Sequence, residues 1–158
     1  MSAVKQFKIV YTFLAIQFIL PAISYMVSPA TTIATLDKAN QLLGGAPYVY
    51  TEATGSIWHM LAVGNVMTLG FMCAIMAWDL ERFYGMLPGL AFLKAFSALY
   101  ALGLGFAVHV PMFFGVFVLD GVTTLAIVFF ARRAHRELRG GASAPSAPRG
   151  VAAAALAD

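Results

Sequence analysis

Charge is scarce in this sequence. Aspartate, glutamate, lysine and arginine together make up 11% of its 158 residues, against about 25% in an ordinary soluble domain. So thin a polar cover excludes the soluble class, and a hydrophobic content of 61% places the chain among membrane proteins. Cysteine is nearly absent. The one thiol, Cys73, can form neither an intramolecular disulfide nor a cysteine-based metal site, and inside an apolar run it reads as a small filler. The usual chemical motifs are missing too: there is no CxxC pair, no HExxH, no phosphate-cradling loop and no nucleophile–base pattern. Gly103 and Gly105 lie within an apolar run rather than after a strand, so a dinucleotide reading fails. No cofactor is implied. The formal net charge of +3 does not point to nucleic acid, because the basic residues flank apolar segments, where they orient a membrane protein.

What the sequence does have is length in its apolar runs. A helix needs about 20 apolar residues to cross a bilayer, and four stretches meet that requirement, at about 8–28, 56–78, 86–109 and 110–133. The first follows Lys5 and Lys8 and could be mistaken for a signal peptide. It is longer than the usual ~7–15 residue signal core, so it is taken as an uncleaved span. Ser28-Pro29 gives a helix-start signal and Gly44-Gly45 a stop. Residues 29–43 therefore form a short helix, with Ile33, Leu36, Leu42 and Leu43 on an apolar side and Asp37, Lys38, Asn40 and Gln41 largely elsewhere. This helix is expected to lie at the membrane surface, or else to be a plain connecting helix packed on the bundle. Tyr48, Tyr50, Trp58 and Trp78 suit the interfacial belts. The short connection 79–85 predicts that spans two and three are antiparallel neighbours, and its charges read as a solvated cluster. Residues 140–158 are rich in Ala, Gly, Pro and Ser and read as a disordered tail. The expected fold is all-α, an integral membrane four-helix up-down bundle with a short interfacial helix after the first span. Lys5, Lys8, Arg82 and the arginines after Phe130 fall on one side, and Lys38 on the other. The positive-inside rule then makes both termini cytoplasmic in a cell (inner) membrane.

One acid stands near the middle of the last span. An ionised Asp120 at that depth costs at least ~2.5–3.5 kcal/mol on insertion scales and needs a partner. Counting at 1.5 Å per residue, Asp120 lies ~18 Å from the basic end of its helix and Lys94 ~15 Å from the same side. The two depths agree within the reach of a lysine, so a Lys94–Asp120 ion pair is predicted. Asn65 and Gln17 are candidate neighbours, and Thr123 and Thr124 are candidate hydrogen-bond donors unless each bonds its own i−4 carbonyl. Asn65 is expected to be buried and bonded across helices. Either this cluster fixes helix register, or it forms a polar pocket for a ligand. Ser97, Ala101 and Gly105 form a small-xxx-small stripe on which another helix could pack. His59 and His109 fall near one surface and form the only candidate haem or metal pair. The case is weak, since His59 points about 120° away from the Asn65 face at ~100° per residue. His135, in the basic extension, reads as solvated.

Two function classes remain. The first is a non-catalytic accessory or scaffold subunit of a membrane complex, contacting the lipid bilayer and a protein partner through the Ser97, Ala101 and Gly105 stripe. The second is a protein that binds, and could modify, a lipid-like or isoprenoid molecule around Lys94 and Asp120. A small transporter is a weaker third, because four short helices leave little room for alternating access.

Overall fold

A computed structural model describes residues 1–47 and 52–142. Every element in it is helical. Helix α1 spans Ala3–Val27, α2 Pro29–Leu42, α3 Glu52–Trp78, α4 Leu80–Phe83, α5 Leu87–Val108 and α6 Pro111–Ala142, with a 3₁₀ turn at Tyr84–Met86. Four segments are long and apolar enough to cross a membrane: Ala3–Val27, Met60–Trp78, Leu80–Ala107 and Pro111–Gly140. Their outward faces are apolar, with Phe13, Leu20, Phe71, Phe92, Leu119 and Leu125 among the many large exposed side chains. In water that surface would aggregate; against lipid tails it is at ease.

The caps are those that the local sequence dictates. Ser2 accepts from the Lys5 amide at the start of α1, and Asp79 does the same for Arg82 at the start of α4. Asp79 is thus a helix cap, and together with Glu81 and Arg82 it is exposed, as a solvated charge cluster requires. Pro29 opens α2 at a position where its missing N–H costs nothing. Gly44 closes α2 with φ +84°, a conformation glycine adopts freely.

Helix α1 is central. It packs on α3 along one side and on α6 along the other, and α6 in turn packs on α5. Helix α6 runs antiparallel to both α1 and α5. Ala3 meets Glu137 and Tyr11 meets Ile127, while on the other partner pair Gly105 meets Phe114 and Tyr84 meets His135. Among the described residues α3 and α5 share no interface of similar extent, which corrects the expectation that spans two and three are neighbours. The connection carries a helical turn and a 3₁₀ turn, with Leu80 and Leu87 at their two ends buried. Helix α3 finds α1 through a notch at Gly70, where a Cβ would stand 2.6 Å from the Ile19 side chain and 3.2 Å from the Ala15 carbonyl oxygen.

The core lies towards that same end. Phe7, Tyr11, Leu14 and Phe18 from α1 meet Leu69, Cys73 and Met76 from α3, Leu90 from α5 and Ile127, Ala131 and Ala134 from α6. The Tyr11 hydroxyl donates to the Ile127 carbonyl across 2.9 Å, so this large ring is buried with its polar atom satisfied. Helix α2 packs on α1 and α6. Leu36, Leu42 and Leu43 are exposed, and the residue it buries is Asn40. Asn40 donates to the Ala46 carbonyl at 2.8 Å and accepts from the Met112 amide at 3.3 Å, tying the end of α2 to the first turn of α6. A free amide at a helix N-terminus needs an acceptor, and Asn40 supplies it.

Tyr48 and Tyr50, the side chains of Trp58 and His59, and residues 143–158 lie outside the described residues. Within the expected tail, 140–142 continue helix α6.

Candidate functional site: a closed charge pair between three helices

Lys94 on α5 and Asp120 on α6 form the ion pair anticipated from their depths, with side chains 8% and 14% exposed. It is the one salt bridge among the described residues. The carboxylate is engaged at both oxygens. Lys94 holds Oδ1, and the Ser97 hydroxyl donates to Oδ2 at 2.5 Å. Lys94 and Ser97 lie three residues apart, on one face of α5, which lets a single helix present both donors to one acid. The ammonium also sits 4.9 Å from the centroid of the Phe18 ring, so α1 closes the site from the third side.

The other expected neighbours are distributed otherwise. Thr124 donates to the Asp120 backbone carbonyl at 2.7 Å, the i−4 alternative, and leaves the carboxylate alone. Thr123 is buried on the same helix but does not join the bonded cluster. Gln17 and Asn65 are exposed, and neither is among the hydrogen-bond partners of the pair. This corrects the placement of both residues and the expectation that Asn65 is buried. The reason is the helix arrangement: α3 packs on α1 and not on α5, which leaves the face that carries Asn65 exposed. Phe18 was missed because an aromatic next to a glutamine on an apolar helix carries no signal of a cation beneath it.

The small-residue stripe also has a different use. Ala101 and Gly105 are buried, and a Cβ on Gly105 would lie 3.0 Å from the Phe114 ring. With Ser97 bonded to Asp120, all three residues are spent inside the chain in bringing α5 close to α6. The stripe is therefore not a surface for another protein.

His109 occupies the corner between α5 and α6, in the left-handed region at φ 54°, and is exposed. The His59 side chain lies outside the described residues, and so does the His59–His109 pair. No group of three or more His, Cys, Asp or Glu placed to hold a metal occurs among the described residues. His135 is not solvated as expected. Its ring stacks on Tyr84 at 3.7 Å and 6°, and its Nδ1 is buried without a hydrogen-bond partner.

The fold and the site together define an all-helical chain with four helices built to contact a lipid bilayer. Comparison with known proteins returns no matching family model, no matching curated protein and no matching solved structure.

Proposed function

We propose that this chain is a non-catalytic, multi-pass membrane protein that acts by packing its helices against those of another membrane protein, as an accessory or scaffold subunit. In this reading the four spans form an up-down bundle in a cell (inner) membrane, α2 lies at the interface, and both termini are cytoplasmic. One observation carries it. Gln17 and Asn65 are exposed on helices with apolar outward surfaces, and neither amide has a side-chain partner among the described residues. Lipid tails offer an amide nothing, whereas a neighbouring helix offers hydrogen bonds averaging about 0.6 kcal/mol each. The buried charges and the buried phenol are, by contrast, occupied: Lys94 and Asp120 neutralise each other, and Tyr11 is bonded to a carbonyl. Native mass spectrometry in a gentle detergent tests the reading. The wild-type chain should retain a specific protein partner that Gln17→Leu/Asn65→Leu loses while staying folded. A lone chain in both cases contradicts it.

A second reading, binding of a lipid-like or isoprenoid amphiphile, draws support from a different place than Lys94 and Asp120. A cavity of about 220 Å³ lies between α1, α2 and α6, lined by Tyr25, Ile33, Leu36, Asp37, Asn40 and Phe113. Ligand pockets usually measure about 300–1,000 Å³, so this one suits a head group or the end of a chain. Co-purified lipid displaced by Ile33→Trp would favour this reading over the first.

A further inference from the structure

The basic end of α6 is more than a flanking charge. Leu125, Val128, Phe129, Arg132, Arg133 and Arg136 recur at spacings of three and four, which places them on one stripe of the helix. They line an open groove of about 520 Å³. Its lower wall is apolar, with Leu125 71% exposed and Phe129 56% exposed. Its upper wall is three guanidinium groups. Arg133 donates to the Gln6 side chain at 3.1 Å, a neutral partner that leaves its charge uncompensated. Arg132 and Arg136 are exposed, and neither has a carboxylate within salt-bridge distance among the described residues. Glu137, the nearest acid in sequence, turns away to accept from the Ala3 amide at 2.6 Å.

We propose that this groove binds an anionic phospholipid, its phosphate held by Arg132, Arg133 and Arg136 and an acyl chain lying along Leu125, Val128 and Phe129. The dimensions fit. Leu125 to Arg136 is eleven residue steps, about 16 Å of helix, close to the half-thickness of a ~30 Å hydrocarbon core. One end of the groove therefore reaches lipid tails while the other reaches the phosphate level. The charge fits as well. Guanidinium forks match phosphate oxygens in pairs and remain charged at any working pH. Basic groups at the membrane surface draw anionic lipids in particular. The occupant is a lipid rather than free phosphate because the apolar wall continues directly below the arginines, and inorganic phosphate would leave it uncovered.

The test uses the full chain in detergent, titrated with phosphatidylglycerol, with phosphatidylcholine of the same acyl chains, or with inorganic phosphate. Binding is read by native mass spectrometry and by the thermal unfolding midpoint. Phosphatidylglycerol should bind at least about tenfold more tightly than phosphatidylcholine and raise the midpoint. Arg132→Gln/Arg136→Gln should lose that preference while keeping its helicity. Lys5→Gln/Lys8→Gln removes the same charge elsewhere and should keep the preference. Equal binding of the two lipids, or equal loss in both double variants, would overturn the proposal. So would a midpoint raised as much by inorganic phosphate as by the lipid.

Discussion

The Phe18 ring of α1 faces the ammonium of Lys94 on α5 at 4.9 Å, although the acid that pairs with that ammonium belongs to α6. A single charged group thus touches three of the four long helices. Its position between them is what gives the pair a structural role, and the first consequence concerns the acid.

Asp120→Asn should destabilise the chain strongly. The substitution keeps a partner for Ser97 but leaves Lys94 charged and unpaired in a largely buried site. Breaking a buried pair by removing one member typically costs about 3–5 kcal/mol. Thermal unfolding in detergent, followed by circular dichroism, should show a lowered midpoint. A midpoint equal to wild type would remove the pair from the account of stability.

Gly105→Leu should force α5 away from α6. The first added carbon already meets the Phe114 ring at 3.0 Å, and the remainder of the side chain must displace it. Overpacking of this kind costs about 1–3 kcal/mol. Cysteines placed at the outward neighbours of the two helices should cross-link less readily in the variant. Unchanged cross-linking and stability would mean that this contact is not the closest point of the pair.

Asn40→Ala should loosen the attachment of α2 to α6. It removes the acceptor for the Met112 amide and the donor to the Ala46 carbonyl, and orphaned buried groups cost about 1–3 kcal/mol each. Hydrogen exchange should accelerate at Met112 and in residues 40–46, with protection at the centre of α1 preserved. Exchange unchanged at Met112 would show that the amide has another acceptor.

Much of this architecture could be read from residue order. Four apolar runs above the length of a bilayer crossing gave four helices, and two lone charges at matching depth gave the Lys94–Asp120 pair. Depth along a helix is a matter of counting, so it survives ignorance of the fold. Neighbourhood is not. That α3 chooses α1 depends on a notch at Gly70 and small or flexible groups at Ala15 and Ile19, some fifty positions away in the chain. The outward placement of Asn65 follows from that choice, and so does the internal use of Ser97, Ala101 and Gly105. Asn40 was assigned to the polar side of α2 by its chemistry, but its amide is long enough to serve the backbone of another helix. Polarity predicts exposure only where no buried backbone group needs a partner.

The most direct test of the pair's role compares the single substitutions Lys94→Met and Asp120→Leu with the double substitution. A pair that serves packing alone can be replaced by apolar groups of similar volume with little loss. Each single variant should lower the thermal midpoint, Asp120→Leu the more because it strands a buried ammonium. The double variant should recover to within about 1 kcal/mol of wild type and keep whatever partner the wild-type chain retains. A double variant as unstable as the worse single one, or one that is stable but has lost its partner or bound lipid, would contradict a purely structural pair.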